Sequence, residues 1–124
     1  MENYSICVIE DNMPIRKLYI TLLKKSGFTT FDFGDGSAAL EWLKTNKVNG
    51  IIMDILLPDI NGNDLVKQVN TLELHKNTPI CAITGFAQEN DRQKFLNDGF
   101  SYYLTKPIDT ATFVDKVKEM FNLK

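Results

Sequence analysis

The chain is short of the residues that several functional classes require. Cysteine occurs twice in 124 residues, as Cys7 and Cys81. Both lie inside apolar runs, and no second Cys or His stands at metal-ligand spacing from either, so both read as small buried hydrophobes. Excess positive charge is missing as well: fourteen Lys and Arg against sixteen Asp and Glu leave a formal net charge of −2. Such a chain has no basic field able to neutralise a row of phosphates, and direct nucleic-acid binding is not expected. No apolar run comes near the ~18 residues of a membrane-spanning helix. Glu2, Glu10, Asp11, Arg16 and Lys17 interrupt any secretory leader at the start of the chain, which points to a cytoplasmic protein without a membrane partner. Internal repeats, low-complexity tracts and linkers long enough to separate domains are also missing.

Apolar residues are plentiful, at 44% of the chain. Leu, Ile, Val and Phe alone account for 38 of the 124 residues, well above the roughly 20% below which chains tend to stay disordered. One core in one domain over residues 1–124 is expected, since domains cluster near ~100–150 residues.

Short apolar runs alternate with longer stretches of helical period, the pattern of an α/β sheet with helical crossovers. Five runs read as strands: Tyr4–Ile9, Thr29–Phe33, Gly50–Met53, Pro79–Ile83 and Ser101–Leu104. The first, third and fourth are nearly all apolar, as parallel strands covered on both faces should be, while the second alternates and suits an edge. Between them, Ile15, Leu18, Leu22 and Leu23 form one stripe of a helix entered through Asn12 and Pro14 and closed by Gly27. Leu40 and Leu43 mark a second helix after Ser37, and Leu65, Val66 and Val69 a third after Asn61-Gly62. Phe95 and Leu96 mark a polar fourth helix ending at Gly99. Phe113, Val114, Val117, Met120 and Phe121 mark a fifth behind a cap at Asp109 or Thr110. The expected architecture is (βα)₅, with right-handed crossovers placing helices on both faces.

In an open parallel sheet, ligands bind beyond the carboxyl ends of the strands, where strand order reverses. Those ends are unusually polar here: Glu10-Asp11 after the first strand, Asp54 after the third, Thr84 after the fourth, and Thr105-Lys106-Pro107 after the fifth. Taken singly, Asp11 reads as a helix cap, Thr84 as the cap of a turn and Lys106 as a solvated lysine. Asp54, following Ile51-Ile52-Met53, has few structural excuses. Their convergence reverses the bland reading. Three carboxylates about 5 Å apart repel by roughly 3 kcal/mol per pair at an effective dielectric near 20, so a cation must balance them. Oxygen-only ligation suits a hard divalent ion, and Mg²⁺ takes one or two carboxylates while sharing itself with a phosphate. An Asp can act as nucleophile to form an aspartyl-phosphate, with a lysine and a hydroxyl neutralising the oxygens of the transferring group.

Glu10-Asp11, Met53-Asp54, Leu57-Pro58-Asp59 before Gly62, Thr84 and Lys106-Pro107 together resemble the receiver domain of two-component response regulators, the family of CheY. The motifs span the whole chain in order, with 43 residues from Asp11 to Asp54, 30 from Asp54 to Thr84 and 22 from Thr84 to Lys106. The resemblance implies a flavodoxin-like sheet of order 2-1-3-4-5, with Cys7 and Cys81 on strands separated by the third and so unpaired. It implies Asp54 as the acceptor of a phosphoryl group from a histidine kinase or histidine phosphotransfer protein. Mg²⁺ would be held by Asp11, Asp54 and the backbone carbonyl of Leu56, with Glu10 acting through water. Lys106 would pair with the phosphoryl group, the Lys106–Pro107 peptide would be cis, and Thr84 and Tyr103 would move together as a switch. Ile15 and Ile108 would lie where similar positions dock a partner helix.

Some positions depart from the commoner receiver pattern. Glu10 stands where Asp is more usual, although Glu-Asp-Asn is frequent in receivers of hybrid kinases and in DivK-like ones. Leu56 and Phe86, two residues after Asp54 and Thr84, are apolar, and are expected to shield an acyl phosphate from water. His75, in the polar segment before the fourth strand, reads as a surface loop residue without a role, and Arg16, Lys17, Lys24 and Lys25 as a solvated face.

The reading favoured is a signalling switch that catalyses only its own phosphorylation and dephosphorylation and remodels the face of helix four, strand five and helix five. A receiver-like scaffold that binds partners without phosphorylation is the alternative, disfavoured because a scaffold has no need of three crowded carboxylates. A dehalogenase-type phosphatase would need Asp-x-Asp, which Asp54-Ile55-Leu56 lacks. A flavin or dinucleotide binder would need a glycine- or hydroxyl-rich first turn, which Glu10-Asp11-Asn12 is not. No DNA-binding or catalytic effector follows helix five within this sequence. A single-domain regulator and a receiver of a hybrid kinase both fit, as do a monomer and a dimer formed on phosphorylation.

Overall fold

Strands buried on both faces have no polar side to alternate with, and this chain uses that rule to build its centre. In the computed structural model, which describes residues 4–85, 94 and 96–121, five strands form one parallel sheet in the order β2-β1-β3-β4-β5. They are β1 (Ser5–Ile9), β2 (Thr29–Phe33), β3 (Gly50–Asp54), β4 (Ile80–Thr84) and β5 (Tyr102–Thr105). Every residue of β3 and β4 is buried, and the alternating β2 lies at the edge. The helices are α1 (Met13–Lys25), α2 (Gly36–Leu43), α3 (Gly62–Thr71), α4, described at Lys94 and residues 96–98, and α5 (Phe113–Met120). Among the described residues no helix is long and apolar enough to cross a membrane.

Successive strand residues face opposite sides, and two cores follow. Cys7, Ile9, Ile51, Met53, Ile80 and Ala82 pack with Ala39 and Leu43 of α2 and Leu65, Val66 and Val69 of α3. On the other face Ile6, Val8, Ile52, Cys81, Ile83 and Leu104 pack with Tyr19 and Leu23 of α1 and Phe113 and Val117 of α5. Each such Ile, Leu, Val or Phe contributes about 1.5–3 kcal/mol when fully removed from water. Cys7 and Cys81 are buried, unbridged and separated by β3.

The ladders run one residue further than the apolar runs suggest. Asp54 pairs in register with Ile83, and Thr84 with Thr105. The polar residues are therefore the last rungs of the sheet, with backbones fixed by it.

Three helices differ from the sequence expectation. In α1 the buried residues are Tyr19 and Leu23, while Leu18 is exposed. The inward stripe runs 15, 19, 23, and Tyr19 stacks on Phe113 with ring centroids 5.1 Å apart. The start of α1 is as expected, with the Asn12 side chain accepting from Ile15 N at 3.0 Å. α2 begins before Ser37, because the Asp35 carboxylate caps it by accepting from Ala38 N at 2.7 Å. Regular α5 begins at Phe113 with Thr112 at its cap, later than Asp109 or Thr110. Asp109 instead makes a lead-in turn, its side chain accepting from Ala111 N at 2.9 Å. Phe95, expected in α4, lies outside the described residues, and Gly99 ends that helix at φ 113°.

His75 is not a surface residue: it is fully buried. A 3₁₀ turn, Glu73–His75, directs the ring beneath the C-terminal end of α2. Its Nε2 lies 3.1 Å from Leu43 O and 2.9 Å from Asn46 O, and Nδ1 3.1 Å from Thr78 Oγ1. Two carbonyls around Nε2 assign the proton there, and the Thr78 hydroxyl donates to Nδ1. Helix ends leave carbonyls without intrahelical donors, and His75 supplies one from a distant segment.

Candidate functional site

The carboxyl ends of β1, β3, β4 and β5 bring the predicted polar residues together. Glu10, Asp11 and Asp54 each offer an oxygen within 4.8 Å of the others. Glu10 and Asp54 are almost wholly buried, and Asp11 is exposed. Lys106 enters from the β5–α5 connection, where the Lys106–Pro107 peptide is cis, and donates from Nζ to Asp54 Oδ2 at 2.9 Å. Asp54 Oδ1 accepts from Leu56 N at 3.1 Å, so both carboxylate oxygens are held. Thr84 is buried at the end of β4 beside them.

Glu10 is the unusual member. Its Oε2 accepts from Asn12 N at 3.1 Å, but Oε1 is buried and makes no hydrogen bond. The Lys106 ammonium lies 3.9 Å from Oε1, close enough for attraction and too far for a hydrogen bond. Burial pushes the Glu10 carboxyl up to about 7; the Asn12 N–H opposes this and the Asp54 charge adds to it. Burial alone would pull the Lys106 ammonium down, but its hydrogen bond to Asp54 and the charges of Asp54, Glu10 and Asp11 hold it above the usual lysine value. One ammonium thus faces three carboxylates. The donor set is oxygen only, with an orphaned buried carboxylate oxygen among it, and it fits a hard divalent cation.

Tyr103 is half-buried on the α2/α3 face of β5, and Tyr102 on the opposite face. The Leu56 side chain is 65% exposed; Phe86 lies outside the described residues. Ile15 and Ile108 line an apolar groove of about 450 Å³ with Leu18, Tyr19, Lys106 and Pro107, next to the acidic cluster.

Arg16 differs from its expected role on a solvated face. It donates from Nη1 to Glu10 O at 2.9 Å and pairs through Nε with Asp32 Oδ2 at 2.9 Å. It thereby braces the turn carrying Glu10 and Asp11 against β2. Gly34 leaves it room, since a Cβ there would stand 2.7 Å from Nη1. Asp59 also does more than mark a motif: its carboxylate accepts from Gly36 N at 2.9 Å and Ser37 N at 2.8 Å. In both cases the contact pairs residues with no local spacing signal.

Known proteins resemble this chain in sequence and in fold. The family model of the response regulator receiver domain matches residues 6–118. The polar-differentiation response regulator DivK of Brucella anthropi is 30% identical over 114 residues, covering 92% of this chain and 93% of the relative. The chemotaxis response regulator CheY4 of Vibrio cholerae superposes with a TM-score of 0.90 at 24% identity, covering 94% and 98% of the two chains. The receiver domain of a sensor histidine kinase from Pseudomonas aeruginosa superposes with a TM-score of 0.83 at 27% identity, covering 96% and 98%, and that structure holds a magnesium ion coordinated in its active-site cleft.

Proposed function

From the premise that this chain belongs to the response regulator receiver domain family of two-component signalling, we propose that it is a cytoplasmic phosphorelay switch whose phosphoacceptor is Asp54. The observation that carries the reading is the pairing of a buried Asp54 with Lys106 Nζ at 2.9 Å inside a three-carboxylate cluster. An Asp54 oxygen attacks the phosphorus of a phosphohistidine on a kinase or phosphotransfer protein. The O–P bond forms, the N–P bond breaks, and the imidazole leaves with its electron pair. Asp11, Asp54 and the Leu56 carbonyl would hold Mg²⁺, with Glu10 acting through water, and the ion would offset the negative charge of the phosphoryl oxygens.

This chain's own groups do the rest. Lys106 stays protonated and turns from the Asp54 carboxylate to the incoming phosphoryl oxygens. Thr84 donates its hydroxyl to one of them, and Tyr103 follows inward, remodelling the α4–β5–α5 face. The groove of Ile15, Leu18 and Ile108 receives the phosphodonor's helix beside the site. Receiver domains are signalling modules; Asp54 here undergoes its own phosphorylation and hydrolysis and turns over no external substrate.

The test is incubation with Mg²⁺ and acetyl phosphate, followed by intact mass, with Asp54→Asn and a chelator as controls. A Mg²⁺-dependent phosphoryl adduct lost in the variant is expected. Failure to form it, together with failure to bind beryllofluoride, would leave the phosphorylation-independent scaffold as the better account.

A further inference from the structure

We propose that Asp59 is a positioning residue for the proposed cation site: by clamping the tip of the β3–α3 loop to the N-terminus of α2, it sets the place of Leu56. The inference rests on the receiver reading for the role of the Leu56 carbonyl; the clamp itself is geometry. Asp59 Oδ1 accepts from Gly36 N at 2.9 Å and Oδ2 from Ser37 N at 2.8 Å. These are the first two N–H groups of α2, which have no partner within the helix and lie at its positive end. The Asp59 carboxyl is held down at about 2, chiefly by the Ser37 hydroxyl, with burial opposing and the two N–H groups adding.

The helix has a cap of its own. Asp35 accepts from Ala38 N at 2.7 Å, so Asp59 is an additional tie whose other end is the loop. The base of that loop is closed by Gly62 N donating to Ile55 O at 2.7 Å and by the antiparallel bridge of Leu56 with Asn61. Leu56 N–H is bound to Asp54 Oδ1. The Leu56 side chain is largely in solvent and anchors little. Close approach of loop and helix is built in, because a Cβ on Gly36 would run into Ile60 Cγ2. Base and tip together fix a short loop, and release of the tip frees the peptide that follows Leu56.

Asp35 supplies the control. Asp35→Ala and Asp59→Ala both remove acceptors from the same helix end, but only the second releases the loop. Mg²⁺ titration followed by backbone amide shifts, with thermal unfolding of the metal-free proteins, separates the two roles. Asp59→Ala is expected to weaken Mg²⁺ binding roughly tenfold, the lower end of what loss of an outer-shell partner costs. Asp59→Asn, which keeps one acceptor oxygen, should recover part of that loss. Asp35→Ala should lower the Tm comparably and leave the Mg²⁺ dissociation constant unchanged. If Asp59→Ala lowers only the Tm, or Asp35→Ala weakens Mg²⁺ as much, Asp59 is a helix cap alone and the proposal falls. Absence of saturable Mg²⁺ binding by the unaltered chain would defeat the metal reading itself, a different result from either.

Discussion

Replacing His75 by Phe tests whether a buried ring far from the acidic cluster holds the α2 end of the molecule. Phe fills the ring volume but removes the single Nε2–H that serves Leu43 O and Asn46 O, and the Nδ1 that accepts from Thr78. Leaving one buried acceptor site without a donor costs about 1–3 kcal/mol. For a chain of this size that lowers Tm by roughly 5–15 °C. His75→Ala adds a cavity and should cost about 3–5 kcal/mol, a large part of the ~5–15 kcal/mol that stabilises an ordinary domain. Urea and thermal denaturation followed by circular dichroism measure both. A His75→Phe protein as stable as the parent would refute the donor assignment.

The same group predicts a pH dependence with a definite sign. Burial holds the His75 ring below its usual pKa; the Asn46 and Leu43 carbonyls oppose, and the Lys47 charge assists. Lys47 Nζ donates to Thr78 Oγ1 at 3.0 Å, so a second proton on the ring would arrive beside an existing ammonium. Between the folded pKa and the unfolded value of 6.5 the unfolded chain binds more protons, and stability falls as pH falls, by up to ~1.4 kcal/mol per pH unit. Glu10 acts in the opposite sense. Its folded pKa of about 7 lies above the usual glutamate value of 4.5, so its contribution is full below 4.5 and is lost as pH rises through 7. The parent alone therefore shows a sum of the two. The difference between parent and His75→Phe isolates the ring, and that gap should narrow as pH falls from 6.5; a gap constant between pH 7.5 and 5 would count against the assignment.

Two further outcomes follow from distances, and a third from the apolar character of Leu56 and Phe86 in the sequence. Gly62→Ala would place a Cβ 2.8 Å from Ile55 Cα and 3.0 Å from Asp54 O; backbone cannot yield as a side chain does, so stability should fall by about 1–3 kcal/mol and the Asp54 adduct yield with it, read by melting and intact mass. Lys106→Ala removes an ammonium 2.9 Å from Asp54 Oδ2; Mg²⁺ should then bind roughly fivefold tighter, about 1 kcal/mol of lost repulsion in a solvent-like dielectric, and titration showing equal or weaker binding would contradict this. Polar replacements of both Leu56 and Phe86 should shorten the acyl-phosphate half-life, measured by decay of the phosphorylated mass; an unchanged half-life would end the shielding idea.

The sheet was readable because each strand is a local event. Short apolar runs bounded by polar residues identify β1, β3 and β4 wherever they stand in the chain, and the polar residues at their carboxyl ends are themselves the candidate site. Glu10, Asp11, Asp54, Thr84 and Lys106 are found together because a parallel sheet places all its carboxyl ends at one edge. Helix limits were less legible. Asp35 and Ser37 are both good caps, and only the position of Ala38 N relative to the Asp35 carboxylate chooses between them. Leu18 and Tyr19 are both apolar enough for a core, and packing against Phe113 selects Tyr19.

The contacts of His75, Arg16 and Asp59 are not legible in the sequence, for one shared reason. Each satisfies backbone groups left over by an element elsewhere in the chain or at its margin: carbonyls at the end of α2, the carbonyl of Glu10, and the first N–H groups of α2. The need is dictated by helix geometry, since every helix end leaves unpaired groups, but the donor or acceptor that meets it is chosen only when the chain has folded. His75 reaches back 32 residues to Leu43 and Asp59 reaches 23 to Gly36, separations that carry no periodic signal. Once helix ends are located, the problem inverts. A polar residue in a short connection that faces an unsatisfied helix end is a candidate latch, and its side-chain chemistry tells which end it serves: a carboxylate for the N–H groups of a start, an imidazole N–H for the carbonyls of a finish. In this molecule both latches act on α2, one at each end, and only the one at its start is joined to the loop that follows Asp54.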